Sequence, residues 1–158
     1  MGLDMYLTAR YYYGGKWKER GEEAHTLDIS GDFAKKNKLT AGKVQEITEE
    51  VAYWRKANQI HNWFVTNVQG GQDNCQECWV SKQQLETLVN TCKETLEALD
   101  NKDYSLAEAL LPPCSGFFFG DTNVDTEWYR QDIKDTIKQI EDVLKRNTDC
   151  DFYYTSSW

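Results

Sequence analysis

Strand and helix signals in this chain do not alternate, and their order is what most restricts its fold. Residues 3–13 are rich in aliphatic and aromatic side chains and run into Gly14 and Gly15, the pattern of a strand ended by a turn. Residues 44–54 alternate: Val44, Glu46 and Thr48 fall on one side, and Gln45, Ile47, Glu49 and Val51 on the other. That is a second strand, weakened by its adjacent glutamates. A helix follows over 55–69, with Ala57, Ile60, Phe64 and Val68 at helical spacing and Gly70 and Gly71 behind it. Cys78, Trp79 and Val80 make a short strand. Ser81 and Gln84 then form a capping box that opens a helix with Leu85, Leu88, Val89, Cys92, Leu96 and Leu99 on one face. Residues 100–105 break it, and 106–111 add one more helical turn before Pro112 and Pro113. Phe117, Phe118 and Phe119, held between Gly116 and Gly120, read as another short strand. Asp125 or Thr126 caps a long helix carrying Ile133, Ile137, Ile140 and Leu144, whose last turn has Lys145 and Arg146 to suit the dipole. Residues 151–155 form a final strand. The expected fold is α+β in one domain over 1–158: about five strands in a mainly antiparallel sheet, with three main helices on one face.

The segment 16–42 fits this pattern least. It is polar, broken by glycines, and carries Lys35, Lys36 and Lys38. It reads as a long irregular excursion with room for one short helix.

Charge narrows the partners. Eighteen Lys and Arg stand against 26 Asp and Glu, a net charge of −8. Phosphate contacts dominate nucleic-acid affinity, so long DNA or RNA is a poor partner. An anionic membrane surface is disfavoured for the same reason, while a small anion in a local basic pocket is compatible. The start shows no basic segment leading into an apolar run, and nowhere do ~18 apolar residues follow one another, so no signal peptide and no membrane span are expected. Five cysteines without a secretory signal are expected to be reduced thiols in a cytosol.

Few motifs carry chemistry. Cys75 and Cys78 form a CxxC, but zinc needs two further ligands and no second pair exists; His61, Cys114 and Cys150 have no zinc spacing. The bland reading is an incidental pair in a loop. His61 lies beside the apolar stripe of its helix, where a hydrogen-bonded structural role is favoured. No phosphate loop, nucleophile elbow, dinucleotide fingerprint or zinc-protease motif is present. Asp121, Asp125 and Glu127 cluster, but helix capping explains them. No catalytic residue, metal or cofactor is assigned. Trp54, Arg55 and Lys56 are more informative. At the start of the expected helix, two cations oppose the dipole, and a bound anion would reverse that cost. Tyr53 and Trp54 are placed to stack beside them. The competing reading pairs Arg55 and Lys56 with Glu49 and Glu50. The three phenylalanines put aromatic rings on both sheet faces, and the face without helices then needs a cover: a partner, a ligand or the 16–42 excursion. The aromatic end, residues 152–158, is expected to be docked rather than frayed.

Residues 1–7 (MGLDMYL), 51–58 (VAYWRKAN), 60–64 (IHNWF), 115–120 (SGFFFG), 127–129 (EWY) and 152–158 (FYYTSSW) together resemble a family of small phage proteins. The likeness spans nearly the whole chain outside 16–43. It implies expression in an infected bacterium, hence a host-cytoplasmic location. It attaches no activity and carries over no catalytic residue. Small phage proteins are often accessory factors that blunt host defence, some by sequestering nucleotide-derived signals; this is analogy by context. The first expectation is therefore a counter-defence protein that holds a small anionic, nucleotide-like ligand without turnover. Arg55 and Lys56 would meet phosphate, Trp54, Trp63 and Trp128 would stack, and Arg10, His61, Phe118 and Tyr129 would complete the site. A homo-oligomer is compatible with it. The alternatives are an interaction protein that occludes a host defence protein through the phenylalanine face or the aromatic tail, and a nucleotide hydrolase using clustered acids.

Overall fold

The structure, a computed structural model, describes residues 2–13, 27–146 and 149–158. The expected turn at Gly14 and Gly15 and part of the 16–42 excursion, residues 16–26, lie outside the described residues. The rest holds one short helix, α1 (Asp32–Lys36), and a 3-10 turn at Ala41–Lys43. Four strands, β1 (Asp4–Tyr12), β2 (Glu46–Arg55), β3 (Cys78–Val80) and β4 (Asp151–Ser157), form one antiparallel sheet in the order β2-β1-β4-β3. The other helices are α2 (Asn58–Asn67), α3 (Lys82–Asp100), α4 (Tyr104–Leu110) and α5 (Glu127–Lys145). The α+β class and the three main helices are as expected. The counts differ: four strands rather than five, and five helices once the short α1 and α4 are included.

The missing strand is the phenylalanine run. Phe119 N donates to Gly116 O at 3.2 Å, closing a tight turn, and Phe118 sits at φ 70°. A left-handed residue cannot continue a strand. Gly116 is required because a side chain there would lie 2.6 Å from the Phe119 ring, and Gly120, at φ 97°, passes close to the Lys56 backbone. The two glycines mark a turn, not the ends of a strand.

Side chains alternate across the sheet, as a half-buried sheet demands. Met5, Leu7 and Ala9 of β1, Ala52 and Trp54 of β2, Val80 of β3 and Phe152 and Tyr154 of β4 face the core. Opposite them lie Ile60 and Phe64 of α2, Leu85, Leu88 and Cys92 of α3, and Ile133, Ile140 and Val143 of α5. The Ser81 capping box forms, with Gln84 N donating to Ser81 Oγ at 3.1 Å and Ser81 N to Gln84 Oε1 at 2.9 Å. Thr126 caps α5, its Oγ1 accepting from Tyr129 N at 3.2 Å. No helix among the described residues is long and apolar enough to cross a membrane.

One irregularity reassigns the most interesting stretch. Leu7 pairs with Ala52 but Thr8 pairs with Glu50, so Val51 is the extra residue of a β-bulge. Shifting the register by one residue exchanges the faces. Before the bulge Ile47 and Glu49 point inward; after it Ala52 and Trp54 do. Unbroken alternation would have left Trp54 on the polar side. β2 also runs on to Arg55, and α2 begins only at Asn58. Arg55 and Lys56 therefore end a strand and do not start a helix. Lys56 is left-handed, at φ 59°, and its N–H donates to Leu3 O at 2.8 Å.

Candidate functional site

The nine expected ligand contacts do not share a hollow. Trp54 is 4% exposed, and its Nε1 donates to Thr136 Oγ1 of α5 at 2.8 Å. Trp63 is also buried, with its ring edge-on to Phe64. Tyr129 is buried, and its hydroxyl donates to Leu111 O at 2.7 Å; burial pushes its phenol up well beyond the ordinary range. These three rings hold the core together and cannot stack on a ligand without opening it. His61 is buried too. Its Nδ1 lies 2.7 Å from the Tyr154 hydroxyl and its Nε2 2.9 Å from Asp73 Oδ2. A carboxylate only accepts, so Nε2 carries the proton and Nδ1 accepts from Tyr154. With both nitrogens engaged, His61 is a structural link between α2, β4 and the loop at Asp73.

The remaining candidates divide among distant places. Arg10 lies on the face of the sheet turned away from the core, paired in register with Thr48, while Asp4 pairs with Arg55. Six residues of strand, about 20 Å, separate these rows. Trp128 lies in the first turn of α5, largely exposed. Arg55, Lys56 and Phe118 do come together. A side chain on Gly2 would lie 3.4 Å from Lys56 Cε, 3.9 Å from Arg55 Nη2 and 4.0 Å from Phe118 O. Neither cation forms a salt bridge among the described residues. Glu49, their expected partner, takes Arg146 instead, at 2.7 Å.

The feature built there is an aromatic knuckle. Phe117 is 84% exposed and Phe118 51%, their rings 4.3 Å apart and edge-to-face. The turn beneath them is braced from inside. Buried Asn58 donates from Nδ2 to Phe119 O at 3.2 Å and to Asp121 O at 2.8 Å, and its Oδ1 accepts from Cys114 N at 3.2 Å. Phe119 is buried against the His61 ring, with the half-exposed Trp158 ring 6.0 Å away. The sequence reading had the phenylalanines but missed Phe117 as the outermost ring, Asn58 as the brace and Trp158 as a neighbour. The signal for the turn was there in the glycines on either side of the run.

A second feature is a groove of about 450 Å³ between the end of β2 and α5, lined by Tyr53, Trp54, Arg55, Asp132, Asp135, Lys138, Gln139 and Asp142. Its carboxylates outnumber its cations. Burial raises the Asp132 carboxyl to about 6, against a hydrogen bond from Gln59 and with a small push from Asp135. The acids of the possible hydrolase are otherwise engaged. Asp121 Oδ1 accepts from Asn123 N at 3.0 Å, Tyr104 bonds Asp125, and Glu127 opens α5. Among the described residues no group of three or more His, Cys, Asp or Glu is placed to hold a metal ion, and no cysteine forms a disulfide. No family model, curated protein or solved structure matches the chain.

Proposed function

We propose that this is a phage accessory protein that acts by docking on a partner protein, a host defence component in the setting that the phage resemblance implies. Phe117 and Phe118 are the anchor, and Arg55 and Lys56 the charged rim. One observation carries the reading: two phenylalanine rings project into solvent from a turn that Asn58 and the buried Phe119 hold rigid. Leaving such a ring exposed forgoes roughly 1.5–3 kcal/mol of burial. Holding it rigid removes the ordering cost that binding otherwise pays. Aromatic anchors in a preset shape, next to cations, suit an apolar pocket with an acidic rim.

The test compares proteins captured from infected cells by the wild type, by Phe117→Ser and by Arg55→Glu/Lys56→Glu, with melting temperatures confirming that each variant folds. The expected result is one host protein bound by the wild type and lost from both variants. Equal capture by all three would remove the knuckle from the function.

A second reading, capture of a nucleotide-like anion without turnover, is favoured by Arg55 and Lys138 lining one groove. Phosphate would meet these cations, and the carboxylates would accept the ring and amino hydrogens of a purine. A thermal-shift screen against cyclic and ADP-ribose-type nucleotides separates the two. A ligand at 100 times its Kd adds about 2.7 kcal/mol. Docking on a protein predicts no shift with any of them, and recovery of altered nucleotide would point to hydrolysis.

A further inference from the structure

We infer that the face of the sheet turned away from the core is a docking surface for a basic, arginine-bearing segment of a partner protein. The inference uses none of the knuckle residues and stands whether or not that reading holds. The register fixes what this face presents. Tyr6 lies beside Tyr53 and Thr155; Thr8 lies beside Glu50 and Tyr153, with Trp79 next along; Arg10 lies beside Thr48 and Asp151. Thr48, Thr8 and Thr155, on β2, β1 and β4, thus lie along a diagonal between the aromatic rings. Tyr6 and Tyr53 contact at 5.4 Å on one side, and Trp79, more exposed than Tyr53, stands at the other edge.

The face already seats one guanidinium, its own. Arg10 Cζ lies 4.2 Å above the centre of the Tyr153 ring. The group is bonded to Glu77, and its Nε is 3.6 Å from Glu46 Oε1. An aromatic floor with carboxylate walls is the environment a planar guanidinium prefers over water. The aromatic and acidic lining continues to both edges of the face beyond Arg10. Trp79 Nε1 donates to Asp151 Oδ1 at 3.2 Å, which fixes that ring beside a carboxylate, and Glu50 stands beside Thr8. Among the described residues Asp4, Glu46, Glu50, Glu77 and Asp151 surround a single central cation, Arg10, with Arg55 at one corner. Nucleic acid is repelled by such a surface, and a second copy of this chain would bring the same carboxylates to it. An arginine-bearing partner segment complements these carboxylates and stacks on the rings.

The test is a titration of the full chain with an unstructured peptide carrying four arginines, read by calorimetry at about 150 mM salt, where diffuse attraction is screened beyond roughly 8 Å. Trp79→Ser is expected to weaken binding about tenfold, the size of a lost cation–π contact. Glu50→Lys is expected to do the same, while Glu94→Lys, the same charge change on the exposed side of α3, changes it less than about twofold. The four-lysine peptide should bind more weakly than the arginine one. Equal loss from Glu94→Lys and Glu50→Lys, or equal binding of the two peptides, would reduce the effect to net charge and overturn the inference. If a variant fails to fold, amide shifts of the wild type on adding peptide decide: shifts on β1, β3 and β4 support the face, and shifts confined to the helices sink it.

Discussion

At Phe118 the backbone and the proposed role pull in opposite directions. A phenylalanine at φ 70° bears strain that glycine would not. Strain of this kind, about 1–3 kcal/mol, persists where the surroundings impose it, and it gathers at functional sites. Phe118→Gly is therefore expected to leave stability unchanged or raise it by up to about 1 kcal/mol, while weakening partner capture. A urea midpoint that falls well below the wild type would instead make the ring structural. Tyr154 is the opposite case. Its ring stacks on Phe64, centroids 3.9 Å apart, and its buried hydroxyl is the partner of His61 Nδ1. Tyr154→Phe keeps the stack and strands the imidazole nitrogen, at a cost of about 1–3 kcal/mol. Tyr153→Phe, one residue away but on the face turned from the core, loses a half-exposed bond to Tyr12 and should cost less than about 0.5 kcal/mol. Urea melts of the pair test whether burial sets the difference.

At the level of elements, the helices were legible and the bends were not. Apolar residues at three and four, a capping box and terminal cations mark α3 and α5 in the sequence as they stand in the structure. The bulge at Val51 left no such mark, because one inserted residue changes the face of everything after it while the residue types still suit a strand. That single step carried Trp54 into the core and took the aromatic stack from the expected ligand site. Arg55, expected at the start of a helix, instead ends β2 and lines the groove against α5. Where these two elements meet, burial raises the Asp132 carboxyl to about 6, with Asp135, Asp142, Arg55 and Lys138 sharing the groove. A carboxyl raised in the folded state helps stability when protonated, below the unfolded value near 3.9, and that help is lost as pH rises through about 6. Asp132→Asn retains an acceptor for Gln59 and removes the cost of ionising. Allowing for solvent screening of a half-buried group, it should add about 1 kcal/mol at pH 7.5 and little at pH 4.5. Melting curves at the two pH values check it, and an equal gain at both would mean that the charge is not the cause.

Across the whole molecule, order radiates from a strand with neighbours on both sides. β1 is hydrogen-bonded to β2 and to β4, and its pairing of Asp4 with Ser157 joins opposite ends of the described chain. Contacts so far apart in sequence slow folding, because loop closure precedes their reward. The sheet cannot close until residues 151–157 are in place. β2 is an edge, and its outward amides should exchange with solvent long before those of β1. One departs from this. Tyr53 N points away from β1 and donates to Gln139 Oε1 of α5 at 2.9 Å, so a helix side chain stands in for the absent strand. Hydrogen exchange is therefore expected to be slowest in β1 and the facing side of β4, fast at Arg55, and unusually slow at Tyr53. Gln139→Ala should bring Tyr53 up to the rate of Arg55 while leaving β1 unchanged, because only a local opening has been made easier. Were Tyr53 already as fast as Arg55 in the wild type, α5 would not be closing that edge, and the groove between them would be wider than the fold requires.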